Sequence, residues 1–168
     1  MEYISSDTNV WIDYMAIGKI DYPFKLPYKY LMNKDAIFDE FISPPGMREN
    51  LIKLGLIDTE LNEKEFYYAL ELSTRYHKLS KYDMAALAIA KKRNIALLTG
   101  DAALRKAAIS EGVTVIGTIG ILDKLFEQQL IEMSEYKESL ILLIKHNGRE
   151  VRLPQAELQK RLEQLDKH

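Results

Sequence analysis

The 168-residue chain contains no cysteine. This absence excludes disulfide scaffolds, thiolate metal sites and cysteine nucleophiles, and it agrees with a reducing cytosol. The N-terminal segment "MEYISSDTNV" has neither the basic start nor the apolar core of a signal peptide. No apolar run approaches the roughly 20 residues that a membrane-spanning helix needs. We therefore expect a cytoplasmic protein without a membrane partner.

The chain also lacks an excess of charge of one sign. The 23 lysines and arginines stand against 25 acidic residues, for a net charge of −2. This balance provides no basic field of the kind that attracts nucleic acid. Histidine is scarce as well, and His77, His146 and His168 are too dispersed in sequence to form a metal site. A polyanionic substrate would therefore need some other source of positive charge.

What the sequence does contain is an alternation of helical and strand patterns, clearest between residues 80 and 130. Ser80 and Asp83, three residues apart, resemble a capping box at the start of a helix predicted to end at Arg93. The apolar run "IALLT" follows, which predicts a strand buried on both faces. Asp101 is placed to cap the next helix, and "VTVI" and "TIGILDKLFEQQL" predict a further strand and helix. This alternation predicts an α/β fold with a parallel sheet.

The N-terminal part of the chain fits the same scheme. We predict a first strand near residues 3–6 and a helix over about 8–17. Residues 21–34 contain two prolines and are difficult to assign. "KDAIFDEFIS" is predicted to be helical, and a helix beginning after Asn62 has the capping residues of a good N-terminus.

After about Met133 the pattern becomes purely helical. Residues 1–133 are predicted to form the main domain, and residues 134–168 to form two helices joined by a short turn. We interpret this second part as a helical extension rather than an independent domain. Its apolar stripe of Leu158, Leu162 and Leu165 either folds back on the main domain or binds a partner.

Acidic residues fall at corresponding places along the predicted elements. Asp7 ends the first strand, Asp101 follows a later one, and Asp83 lies in the first turn of the helix before that strand. A fourth acid, Glu40 or its neighbour Asp39, lies in the short helix after residue 34. The ligand crevice of an open α/β sheet lies at the carboxyl ends of its strands, so these side chains are expected to converge there.

A carboxylate cluster of this kind is unfavourable unless a cation joins it. Two like charges about 5 Å apart repel by roughly 3 kcal/mol at an effective dielectric constant near 20. Carboxylate-rich oxygen sites suit Mg²⁺ or Mn²⁺, which also bind phosphate oxygens. Each acid has a structural interpretation too, since Asp7 and Asp101 can be helix caps and Asp83 can complete a capping box. The two interpretations are compatible, because a cap places its carboxylate at the same strand–helix corner.

These residues resemble the motifs of the PilT N-terminal (PIN) domain family. The resemblance is carried by "SDTNVWID", by "DE" at 39–40 and by "LSKYDMAALAIAKKRNIALLTGDAALRKAAISEGV". It covers about residues 3–130, and "VIGTIGIL" resembles a subgroup with a short helical C-terminal extension. Glu40 matches the family's second acid by position. The positions that match the other motifs are Asp7, Asn9, Ser80, Asp83, Thr99 and Asp101.

The resemblance implies a three-layer α/β/α fold and a metal-dependent ribonuclease, in a family that includes VapC-like toxins of toxin–antitoxin pairs. One or two Mg²⁺ or Mn²⁺ ions would be held by four acids, and a metal-activated water would attack the RNA phosphodiester. Ser80 and Thr99 would orient carboxylates, and Asn9 would hold a water or the early acid. The implied partners are RNA, an antitoxin protein and a second copy of the chain. The acids to which the resemblance assigns catalysis and metal binding are Asp7, Glu40, Asp83 and Asp101.

Other interpretations remain open beside this one. A catalytically silent domain of the same fold would bind RNA or an antitoxin without cutting. A haloacid-dehalogenase-type phosphatase needs D-x-D-x-T at the first strand, which "DTNVWID" does not supply. Arg105, one helical turn beyond Asp101, either contacts a substrate phosphate or is a solvated helix residue. Phe24, Tyr28 and Tyr30 either stack on bases or, as we prefer, pack their segment onto the core.

Overall fold

The computed structural model describes residues 2–167, so His168 lies outside the described residues. Within this range, five strands form one sheet in the order β3-β2-β1-β4-β5, and every pairing is parallel. The predicted α/β fold with a parallel sheet is therefore confirmed. The strands are β1 (Glu2–Ser6), β2 (Tyr28–Asn33), β3 (Ile57–Thr59), β4 (Ala96–Leu98) and β5 (Val115–Ile116).

Helices connect the strands and cover the sheet on both faces, which gives three layers. A 3₁₀ helix at Tyr22–Lys25 precedes β2. Over residues 2–167 the α-helices are α1 (Thr8–Ala16), α2 (Lys34–Glu40), α3 (Met47–Leu54), α4 (Glu63–Arg75), α5 (Lys81–Arg93), α6 (Ala102–Ser110), α7 (Thr118–Glu127), α8 (Met133–His146) and α9 (Gln155–Asp166). Within the same range, no helix is both long enough and apolar enough to span a bilayer.

Two hydrophobic cores lie on opposite faces of the sheet. The side chains of neighbouring residues in a strand point to opposite faces, and β4 demonstrates this directly. Leu97 belongs to the core formed with α4, α5 and α6, whereas Leu98 belongs to the core formed with α1, α7 and α8. Both leucines are fully buried, as predicted for a strand covered on both sides.

The predicted helix ends around β4 are present. The Ser80 hydroxyl accepts a hydrogen bond from the backbone N–H of Asp83, and the Asp83 carboxylate accepts one from the N–H of Ser80, so the capping box is complete. Asn94 ends α5 in the left-handed conformation, with φ at 56°. The Asp101 carboxylate accepts from the N–H of Leu104 and caps α6. Local sequence therefore determines where each of these helices begins or ends.

The segment between α1 and α4 contains three elements that the sequence patterns did not assign. Strand β2 lies within the proline-containing segment 21–34, where Pro23 is part of the 3₁₀ helix and Pro27 precedes the strand. Helix α3 and strand β3 follow further along. Each element is short, and β3 is largely exposed at the sheet edge, so its sequence shows no apolar run.

Aromatic rings fasten this segment to the core. The fully buried Trp11 ring stacks on Phe24 at a centroid distance of 5.0 Å and meets Tyr30 edge-on at 5.2 Å. Tyr30 is also fully buried, and its hydroxyl donates to the carbonyl of Pro23 at 2.6 Å. Tyr30 and Phe24 therefore pack their segment onto the core, which confirms the preferred interpretation.

The C-terminal helices pack on the same core as α1 and α7. Leu140 and Leu143 of α8 and Leu158 of α9 are fully buried there. The Arg161 guanidinium of α9 donates to both oxygens of Asp123 on α7 at 2.9–3.0 Å. The leucine stripe of α9 therefore folds back on the body of the protein.

Candidate active site

The acidic residues around the sheet edge are positioned by two central strands that lie side by side. Ser6 at the end of β1 pairs in register with Leu98 at the end of β4. The N–H of Asp7 donates to the carbonyl of Leu98 at 2.9 Å. The residues that follow the two strands, Asp7 and Thr99, consequently meet at the carboxyl edge of the sheet.

Asp7 is buried, with 4% of its surface exposed, and all its hydrogen-bond donors are local or from β4. One carboxylate oxygen accepts from the N–H of Thr8 at 2.8 Å. The other accepts from the hydroxyl of Thr99 at 2.9 Å and from the side-chain amide of Asn9 at 3.3 Å. The Thr99 hydroxyl itself accepts from the N–H of Asp101 at 3.1 Å. Thr99 thus joins the first acid to the last.

Glu40 and Asp39 occupy different surroundings. The Thr8 hydroxyl donates to Glu40 at 2.8 Å, which holds Glu40 beside Asp7. Asp39 instead accepts from the hydroxyl of Tyr82 on α5. The geometry therefore brings Glu40, and not Asp39, next to the first acid.

The four acids influence one another electrostatically. Burial, together with the charges of Asp83 and Glu40, raises the pKa of Asp7 from 3.8 to about 7, although the hydrogen bonds from Thr8 and Thr99 oppose the change. Burial raises the pKa of Glu40, and the charges of Asp83 and Asp39 contribute to the increase. Burial also raises the pKa of Asp83, with a contribution from the charge of Asp101. The charges that act on these three groups are all carboxylates, so the cluster lacks a compensating cation.

The chemistry of this donor set fits a divalent cation, because it consists of carboxylate oxygens that repel one another. The side chains are nevertheless not arranged as a finished ligand set. Within residues 2–167, no group of three or more Asp, Glu or His side chains stands ready to hold a metal ion. Asp83 accepts from the N–H of Ser80, the N-cap residue of α5, and Asp101 accepts from the N–H of Leu104 in the helix that it caps. Asp7 and Glu40 accept from neighbouring donors. Hydrogen bonds of this kind stabilise the charged form of a carboxylate.

A family model described as a PIN domain matches residues 3–167. The chain belongs to the PIN-domain family. The match includes α8 and α9 as well as the sheet. It supports a nuclease-type function, since PIN domains are generally nucleases that act on nucleic acid with divalent metal ions. Neither a curated protein nor a solved structure matches the chain.

The structure adds two polar residues to the site of this PIN domain that the sequence reasoning missed. Asp13 is buried, with 4% exposed, and accepts from the hydroxyl of Thr118 at 2.6 Å. Burial raises the pKa of Asp13 to about 6. Asp13 lies four residues after Asn9, so both are on one face of α1. That spacing was visible in "DTNVWID", but the partner, Thr118, is 105 residues away and could not be inferred.

An open groove of ≈ 1620 Å³ leads to this edge of the PIN domain. Asn9, Thr99 and Asp101 belong to its lining, and so does Arg105 on the exposed face of α6. Arg105 and Asp101 therefore line the same groove, whereas Asp7, Glu40 and Asp83 do not belong to its described lining. Lys91 and Lys92 are exposed at the end of α5, outside the groove.

Proposed function

We propose that this PIN domain is a Mg²⁺- or Mn²⁺-dependent endoribonuclease that hydrolyses RNA phosphodiester bonds with an activated water. The observation that carries the proposal is the group of four mutually repelling carboxylates at the carboxyl edge of the sheet. Burial, the largest cause, and the neighbouring acids raise the pKa of Asp7 to about 7, so a cation bound beside this carboxylate would stabilise its charged form. Membership of the PIN-domain family supports the same reaction class.

In this proposal the four acids share the task of holding the ion. Asp7, Glu40, Asp83 and Asp101 supply the carboxylate oxygens. When bound, the ion would lower the pKa of an attacking water and stabilise the charge that builds on the phosphate oxygens. No histidine lies near these acids in sequence, and none is among the described residues that line the groove beside Asp101.

The surrounding polar residues keep the acids in position. Thr99 donates to Asp7 and accepts from the N–H of Asp101, which fixes two acids relative to each other. Asn9 donates to Asp7 from the groove side. The Ser80 hydroxyl accepts a hydrogen bond from the N–H of Asp83 and so stabilises the start of α5. Arg105 would hold a phosphate of the substrate at the entrance to the site.

The proposal is tested by removing single negative charges without changing side-chain size. Asp7→Asn and Asp101→Asn are expected to reduce Mn²⁺-dependent cleavage of a single-stranded RNA by more than about 100-fold. Mutations of residues that only support a metal ligand reduce activity by up to roughly 100-fold, and loss of a ligand itself should cost more. Asp39→Asn is the matched control, because Asp39 neighbours Glu40 but faces Tyr82, and it is expected to cleave normally. Circular dichroism verifies that each variant is folded. Full activity of Asp7→Asn and Asp101→Asn, or wild-type activity that a chelator leaves unchanged, would refute the assignment.

A second candidate is a catalytically silent PIN domain that binds RNA or is held by an antitoxin. The observation that favours it is that, over residues 2–167, no three acids are already arranged as metal ligands. The retention of all four acids speaks against it, because unused like charges lower stability. Isothermal titration of the metal-free protein with Mn²⁺ distinguishes the two candidates. A binding heat that saturates, and that is lost in Asp101→Asn, supports the nuclease. The absence of a binding heat supports the silent domain.

We further propose, from the resemblance to VapC-like proteins, that the protein acts in the cytoplasm as the toxin of a toxin–antitoxin pair and pairs with a second copy of itself. Induced expression in a bacterium is then expected to arrest growth, and expression of Asp7→Asn is not. Co-expression with the product of the neighbouring reading frame should relieve the arrest. Equal growth with wild type and Asp7→Asn would contradict the toxin role.

A further inference from the structure

The groove beside the candidate active site is built from two distant parts of the chain. The acid-rich edge contributes Asn9, Thr99 and Asp101, and the segment between α8 and α9 contributes its own residues from Arg149 onward. The two parts nearly touch at Gly100, where an added Cβ would lie 3.8 Å from a methyl group of Leu153. The C-terminal segment therefore borders the residue that immediately precedes Asp101.

We infer that this segment is part of the substrate-binding surface and that Arg149 and Arg152 bind backbone phosphates of a single-stranded RNA lying in the groove. Arg105 and Lys124 line the same groove and would continue the phosphate contacts on its other elements, α6 and α7. The inference rests on the proposed function for the reaction, but the binding itself can be measured without cleavage.

The segment is held in one conformation by its own backbone and by a single asparagine. The side-chain amide of Asn147 donates to the carbonyl of Leu153 at 3.0 Å, and its oxygen accepts from the N–H of Leu153 at 2.9 Å. The N–H of Gly148 donates to the carbonyl of Val151 at 2.8 Å. Val151 is fully buried, and the arginines on either side of it are exposed. The side chains of Arg149 and Arg152 are therefore presented from an ordered backbone.

These cations are not used within the protein. Over residues 2–167, Arg105, Lys124, Arg149 and Arg152 form no ion pair and donate no side-chain hydrogen bond. By contrast, Arg161 in the same groove is fully occupied by Asp123 and Glu157.

The acids of the groove are engaged elsewhere. Glu150 lies 3.2 Å from His146, and Glu157 is paired with Arg161. Asp13 is buried with a raised pKa and a donor of its own. Glu2 begins β1, at the end of the strand opposite to Asp7. Asp101, the fifth acid of the lining, accepts from the N–H of Leu104 as the cap of α6. Among the described residues the lining therefore contains five acids and five basic residues, and four of these basic residues are without an ion pair.

The test measures binding of a fluorescent single-stranded RNA to the full chain in a chelator, by anisotropy over a range of salt concentrations. Each phosphate contact to a single strand contributes about 0.7 to the slope of log Kd against log salt. Arg149→Gln/Arg152→Gln is expected to reduce that slope by about 1.4. If the variant and the wild type bind equally at 1 M salt, the variant then binds about 25-fold more weakly than the wild type at 0.1 M salt. Lys145→Gln/Lys160→Gln is the matched control, because these lysines are exposed on α8 and α9, the two helices that flank the segment, but lie outside the groove.

Among the described residues neither arginine side chain forms an ion pair or a hydrogen bond, so the double variant is expected to stay folded, and its melting temperature verifies this. Arg149→Lys/Arg152→Lys keeps the charge and is expected to restore most of the slope. Equal slopes for wild type and the arginine variant, or equal losses in the arginine and lysine pairs, would overturn the inference. So would a wild-type protein that does not bind the RNA.

A parallel cleavage assay in Mn²⁺ separates this inference from the proposed function. If wild type binds through the arginines but never cleaves, the nuclease proposal fails and the binding surface stands. If wild type cleaves and Arg149→Gln/Arg152→Gln has an unchanged KM, the nuclease stands and the binding surface is wrong. If both hold, the arginine variant raises KM with little change in kcat, because contacts to phosphates that do not react contribute to binding in the ground state and the transition state alike.

Discussion

The metal-free protein is expected to become less stable as the pH rises from about 4 to about 7, and Asp7 is the main cause. Burial and its acidic neighbours raise the pKa of Asp7 from 3.8 to about 7 in the folded state. Because the folded pKa is above the unfolded one, the protonated form stabilises the fold at low pH, and this contribution disappears as the pH passes about 7. A change from 3.8 to about 7 corresponds to about 4 kcal/mol between the two limits.

The measurable part of this effect falls between pH 5 and pH 8. Over that window the Asp7 contribution declines by about 2.5 kcal/mol, which for a chain of this size is about 5–10 °C in Tm. The asparagine side chain introduced by Asp7→Asn does not titrate. Between pH 5 and pH 8 the wild type should therefore lose about 2.5 kcal/mol more of its free energy of unfolding than the variant does. Any pH-independent cost of the altered hydrogen bonds to Thr8 and Thr99 cancels in this comparison.

Urea unfolding in a chelator at several pH values measures the difference directly. Asp39→Asn is again the control and should follow the wild-type pH dependence, since no buried acid is removed. Parallel pH profiles of wild type and Asp7→Asn would refute the reasoning. They would mean that Asp7 is already ionised in the folded protein, so that the site does not lack positive charge.

Two further predictions concern stability. Arg93→Ala removes the ion-pair partner of Glu65, whose side chain is fully buried, and is expected to lower the free energy of unfolding in urea by about 3–5 kcal/mol. Arg75→Ala is the control, because its partner Glu111 keeps hydrogen bonds from two tyrosine hydroxyls, and it should cost under about 1 kcal/mol. Equal losses in the two variants would contradict this prediction. Leu140→Ala leaves a cavity at a fully buried position of α8 and is expected to lower the free energy of unfolding by about 2–5 kcal/mol. The variant should still unfold in one cooperative transition. A separate early transition of the C-terminal helices would show that residues 134–167 fold independently.

Much of the candidate site could be anticipated because its residues also serve local structure. Asp101 and the Ser80–Asp83 pair cap helices, and capping residues leave a recognisable pattern of three- or four-residue spacing. The position of Asp7 followed from the end of a strand. The choice of Glu40 over Asp39 did not follow, because it depends on which side of α2 faces Thr8 and which faces Tyr82.

The elements between residues 21 and 60 show where local patterns fail. Strand β2 follows two prolines, and the short β3 is mostly exposed, so neither has the apolar run that predicts a strand. Both are stabilised by pairing in the sheet, and β2 also by the packing of Trp11 against Phe24 and Tyr30. These contacts are distant in sequence and leave no periodic signal.

The fold class, the helix ends around β4 and the set of acids were predictable from local patterns, because caps, strand runs and spacings act between residues close along the chain. Which side chains meet became visible only in the folded protein. The tertiary structure joined Thr99 to Asp7, buried Asp13 against Thr118 and placed the segment around Arg149 beside Asp101. Such encounters depend on the order of strands in the sheet and on the packing of α9 against α7, which are properties of the whole chain rather than of any stretch of it.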